Sequence, residues 1–77
     1  MHSIGHHAHQ LKVFYQSNTS LRIFDINGRL IETLIDRKLL TGEHDVLWNA
    51  SNYASGIYFG KLTVANKVQT QKVIYLK

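Results

Sequence analysis

The 77-residue chain contains no cysteine and no proline. Without thiols, neither a disulfide nor a thiolate metal site can supplement the core. A domain this short buries only about 60% of the surface its unfolded chain exposes, so packing must be efficient. Without proline no strand loses a ladder donor, and turns fall to glycine, asparagine, aspartate and serine. Long hydrophobic runs are missing too, and nothing approaches the roughly 20 apolar residues of a membrane-spanning helix. Met1 to Gln10 is dominated by His, Ser and Gly and lacks the apolar stretch of a secretory signal. Acids are few: five Asp and Glu against nine Lys and Arg give a net charge of +4. The cations Lys12, Arg22, Arg29, Arg37, Lys38, Lys61, Lys67, Lys72 and Lys77 are scattered along the chain. A nucleic-acid surface clusters such residues with interleaved aromatics; spread this way they read as solvated charge that keeps strand edges apart. No nucleic-acid partner is expected.

What the chain does contain is alternation. Tyr58, Gly60, Leu62 and Val64 alternate with Ile57, Phe59, Lys61 and Thr63, the period of two that a pleated strand requires. Val68 to Leu76 follows, rich in Val, Ile, Thr and Tyr, with Asn66-Lys67 where the chain reverses. Earlier strands are expected at Leu11 to Gln16 and Leu21 to Ile26, separated by the turn residues Ser17 to Ser20. Asn27-Gly28 then signals a hairpin, because both residues tolerate positive φ. The next run is ambiguous: Leu30, Ile31, Leu34, Ile35 and Leu39 fit a helical stripe, while Ile31, Thr33 and Ile35 fit a β-branched strand face. The preceding turn demands an antiparallel partner, so a strand is expected. Leu40 to Glu43 makes a further turn, and Asp45 to Asn49 a short strand carrying Trp48, the largest core side chain. Six short strands at this spacing imply an all-β sandwich. Expected core positions are Val13, Leu21, Ile23, Ile31, Val46, Trp48, Tyr58, Leu62 and Ile74.

Candidate chemistry is thin. His2, His6, His7 and His9 form a His-rich tract of the kind that can bind metal by composition. No Cys or carboxylate accompanies them, so Met1 to Gln10 reads as a flexible leader or expression remnant, and the domain as residues 11 to 77. His44 has no Ser or Cys nucleophile arranged around it. Asp25 and Asp45 form no pair at a distance the sequence fixes. Gly28, Gly42 and Gly56 precede no helix that could cradle a phosphate. No enzyme activity, cofactor or metal is expected.

Several residues in fixed order nevertheless resemble one known family. They are Leu21-Arg22-Ile23-Phe24-Asp25 leading to Gly28-Arg29, then Gly42 and His44 before Val46 and Trp48. Asn52 follows, with Ser55-Gly56-Ile57-Tyr58-Phe59 and Leu62, and Lys72-Val73-Ile74-Tyr75-Leu76-Lys77 comes last. This order is similar to the C-terminal sorting domain of the type IX secretion system, the Por-type tail of Bacteroidota cargo proteins. The resemblance implies an immunoglobulin-like antiparallel β-sandwich of about six to seven short strands. It implies an address read by the outer-membrane type IX translocon, commonly then removed by a sortase-like cysteine protease that can attach cargo to a surface lipopolysaccharide. The cargo would be secreted or held at the cell surface after passing the periplasm. Lys72 to Lys77 would be presented to the machinery, while Asp25, Gly28, Arg29, Gly42, Trp48, Ser55, Gly56 and Tyr58 would shape the domain. The family's usual opening Asn-Pro and its cargo's signal peptide have no counterpart here, as expected of a fragment of a larger protein. With one strand fewer than the usual seven, marginal stability or an edge-strand dimer is expected. The alternative is an immunoglobulin-like module that binds glycan or protein, or serves as a structural or assembly element. A chain that stops one residue after its last strand favours the address.

Overall fold

The computed structural model describes the backbone of residues 6–76 and the side chains of 11–76. Six strands follow one another: β1 (His6–Val13), β2 (Ser17–Phe24), β3 (Leu30–Leu39), β4 (Gly42–Asn49), β5 (Gly56–Val64) and β6 (Lys67–Tyr75). They form two antiparallel sheets. One is the pair β1-β4; the other has four strands in the order β3-β2-β5-β6. The all-β, two-sheet architecture is the one the strand spacing implies.

Both sheets feed one interior, which divides into two clusters. Leu11 and Val13 of β1 and Val46 of β4 meet Leu21, Ile35 and Leu39 of the larger sheet. At the other end, Trp48 and Ala50 pack with Ile23, Tyr58, Val73 and Tyr75. Six of the nine core positions expected from alternation are buried, and Ile31 and Leu62 are partly so. Ile74 is the exception, at 59% exposure. Its register explains why: Val73 stands opposite the inward Tyr58, so Ile74 stands opposite the outward Ile57, and directly paired residues share a face.

Three boundaries differ from the sequence reading. β1 starts at His6 and ends at Val13 rather than running from Leu11 to Gln16, because its eight residues pair throughout with the eight of β4. It therefore runs through Gln10, across the boundary drawn between leader and domain. Residues 1–5 lie outside the described part, as do the side chains of His6, His7 and His9, and with them the His-rich tract. β2 begins at Ser17, inside the stretch assigned to a turn, and the turn lies instead over Phe14–Gln16. The β5–β6 reversal falls at Ala65-Asn66, since Val64 and Lys67 still pair.

The Asn27-Gly28 hairpin forms, but its turn is built on Asp25. Gly28 N–H donates to the Asp25 carbonyl at 3.0 Å and Asp25 N–H to that of Arg29 at 2.9 Å. Asp25 Oδ1 accepts from the N–H groups of Asn27 and Arg29, each at 2.9 Å. Gly28 takes φ +83°, a conformation costly for any other L residue except Asn or Asp.

The ambiguous run is a strand, and its mixed pattern has a cause. The β2–β3 register shifts between Leu21 and Arg22 and again between Ile23 and Phe24. Leu34 and Ile31 are the extra residues, so each bulge slips the alternation by one. The run therefore satisfies neither period cleanly. The second bulge places Glu32 opposite Ile23, on the inner side of the sheet.

Candidate recognition surface

Among the described residues, β6 is an edge strand, bonded to β5 on one side only. In an antiparallel pair every second residue turns its N–H and C=O away from its partner, so β6 offers unpaired backbone groups along its outer side. Such an edge is a template for strand addition.

Its two halves are held differently. Lys67 to Lys72 are all exposed, whereas Val73 and Tyr75 are 1% and 3% exposed. Tyr75 packs its ring 6.3 Å from Trp48, which also meets Tyr58 edge-on at 5.3 Å and Tyr53 at 5.7 Å. Trp48 belongs to the opposite sheet, so this aromatic cluster ties the end of β6 across the interior. The polar tips of Trp48, Tyr53 and Tyr58 are satisfied. Trp48 Nε1–H donates to Glu32 Oε1 at 3.1 Å, Tyr53 O–H to the same oxygen at 3.1 Å, and Tyr58 O–H to the Ala54 carbonyl at 2.6 Å. Burial, followed by the hydrogen bond to Glu32, raises the Tyr53 phenol above its ordinary 10.0.

The six terminal residues thus separate by role. Val73 and Tyr75 are anchors, while Lys72, Ile74 and Leu76 are exposed. Lys77 lies outside the described residues. Alternation within the strand, not the terminal stretch as a whole, decides what a partner can touch.

The outward residues of β6 continue into a surface absent from the sequence expectation. Cross-strand register lines up Leu30, Phe24, Phe59 and Lys72, with Ile57 and Ile74 in the neighbouring row. Leu30 and Ile74 are exposed, and Phe24, Ile57 and Phe59 are half-buried. Beside this apolar band stand Arg22 and Lys61, themselves paired in register. Arg22 meets Asp36 at 3.5 Å. The band joins two hairpins, β2–β3 and β5–β6, that are remote from each other in sequence, so only the β2–β5 pairing reveals it; the alternation of Ile57, Phe59 and Lys61 is its one local sign.

The other residues marked in the sequence shape the frame. Asp25 Oδ2 also meets Arg29 Nε at 3.3 Å, and the Arg29 backbone N–H, ahead of other causes, holds its carboxyl below the ordinary 3.8. Gly42 opens β4, and Ser55 and Gly56 lead into β5. His44 Nε2–H donates to the Leu40 carbonyl at 2.7 Å, closing the β3–β4 turn. Among the described residues no group of three or more His, Cys, Asp or Glu could hold a metal, and no helix is long and apolar enough to cross a membrane. The arrangement is one of contact, with backbone edge, apolar band and flanking cations.

No curated protein and no solved structure matches the chain. A family model described as the secretion system C-terminal sorting domain matches residues 7–76.

Proposed function

The chain belongs to the secretion system C-terminal sorting domain family, and from that premise we propose that β6 carries its address. The family's domains are sorting signals for type IX secretion, not catalysts. In this reading the domain rides on a cargo protein into the periplasm, and the outer-membrane translocon reads it. A sortase-like cysteine protease then removes it, and the cargo reaches the cell surface or medium. Lys72, Ile74 and Leu76, with the free backbone edge of β6, make the contact.

One observation supports this most: β6 is an edge strand, among the described residues, whose last inward residues, Val73 and Tyr75, are buried while Lys72 and Ile74 beside them are exposed. The anchor residues fix the strand, so a receptor meets a preorganised edge and loses little entropy on binding. Strand addition would supply affinity through the backbone, and the outward side chains would supply selectivity.

The test is transport. Residues 6–77 are fused behind a signal peptide and a fluorescent reporter in a bacterium that has type IX machinery. Reporter outside the cell supports the address. Reporter retained in the periplasm, with the domain folded, refutes it.

A further inference from the structure

Two strands face four, and the mismatch leaves part of the inner surface uncovered. β1 pairs with β4 and, among the described residues, with nothing on its other side. Beyond that free side lie the hairpin end of β5 and the first half of β6. Leu62 and Val64 are only half-buried there, and Lys67, Gln69 and Gln71, which share their face, are exposed. A groove of about 870 Å³ runs along this gap. Leu11, Phe14, Tyr15, Leu62, Val64 and Val68 give it apolar walls. Phe14 and Tyr15, 72% and 79% exposed, overhang one end from the β1–β2 turn. Both charged residues in its lining, Lys12 and Lys67, are cations.

We propose that this groove binds an extended segment of another polypeptide, one that alternates apolar and acidic residues, as a third strand added to β1. Each feature sets one property of that occupant. The unpaired edge of β1 asks for extended backbone. An apolar floor beside a polar opening asks for side chains that alternate inward and outward, as a strand's do. Two lysines without an acid in the lining ask for carboxylates. The surface lies on the inner side of the larger sheet, distinct from the outward band around Ile74, so the inference does not rest on the sorting role.

The test uses the whole chain and a fluorescein-labelled octapeptide of alternating valine and glutamate. An otherwise identical valine–lysine peptide and a valine–glutamate peptide methylated on alternate backbone nitrogens are the controls. Anisotropy gives affinity, and amide NMR shifts locate the site. The proposal expects the glutamate peptide to bind at least about tenfold more tightly than the lysine peptide, with shifts at β1, Leu62 and Val64. Lys12→Glu with Lys67→Glu, both exposed changes, should reverse that preference while leaving the melting temperature unchanged. Methylation should abolish binding. No binding at millimolar peptide would overturn the proposal, as would equal affinity for the two charge types or indifference to methylation. Groove shifts that grow with protein concentration alone would assign the surface to a second copy instead, and would overturn it too.

Discussion

Tyr75→Ala and Ile74→Ala remove neighbouring side chains from one strand and should behave as opposites. Tyr75 is 3% exposed and packs on Trp48, whereas Ile74 is 59% exposed. Truncating a buried aromatic costs about 3–5 kcal/mol, through lost transfer energy and the cavity left behind. A chain of this length has only roughly 4–12 kcal/mol of stability in total. Tyr75→Ala therefore removes a large fraction of it and brings the domain close to unfolding. Ile74→Ala, on the surface, should stay within about 0.5 kcal/mol of the parent. In urea, with a slope of about 1 kcal/mol per molar for a small domain, the first variant loses about 3 M or more in midpoint. The second loses about 0.5 M or less. Tyr75→Phe should stay near the parent, since packing rather than the hydroxyl anchors the residue. Equal losses for the two alanine variants, or a larger loss for Ile74→Ala, would refute the inward and outward assignment of β6.

Other consequences are as direct. Ala65 holds φ +54° at the β5–β6 reversal, a conformation that costs a non-glycine residue about 1–2 kcal/mol. Allowing for glycine's greater unfolded-state entropy, Ala65→Gly should stabilise by about 0.5–1 kcal/mol in denaturant titration. Glu32→Ala should cost about 1–3 kcal/mol by stranding the buried Trp48 N–H, while the Tyr53 hydroxyl keeps the Ile31 carbonyl at 3.2 Å, whereas Glu43→Ala at an exposed site should cost less than about 0.5 kcal/mol. Because the Asp25 carboxyl is lowered on folding, its contribution is complete well above the unfolded value of 3.8. That contribution is lost as pH falls through the lowered folded value. Asp25→Asn, which keeps the Oδ1 acceptor, should therefore flatten the acid limb of a plot of melting temperature against pH. An unchanged limb would count against the ionic part of that turn.

Strands were legible wherever alternation was strict. β5 announced itself through the alternation of Ile57 to Val64, and Tyr58 and Leu62, the core positions expected there, face the interior. Ile74 was misplaced because its face depends on the length of the Ala65-Asn66 reversal, and one residue of register exchanges the two faces of a strand. β3 looked helical because two bulges interrupt its alternation, and bulges arise from pairing with β2 rather than from any local signal. β1 was drawn too late because histidines and Gln10 carry no strand propensity that would mark its start; its pairing with β4 defines it. For the proposed recognition surface, the resemblance points to the terminal residues Lys72 to Lys77 as those presented. Their division into anchors and contacts is not legible in sequence, nor is the Leu30–Phe24–Phe59 row, which exists only across strands.

In the proposed function, a folded β6 and the Leu76 that follows it present Lys72, Ile74 and Leu76 to the secretion machinery. Deleting Lys72 to Lys77 tests this poorly, because it also removes the core residues Val73 and Tyr75. The direct measurement is export of the reporter fusion carrying Lys72→Ala, Ile74→Ala and Leu76→Ala together, with the melting temperature of the purified domain taken alongside. The prediction is an unchanged melting temperature with the reporter held in the periplasm. Export at the parent's level by that folded triple variant would contradict it.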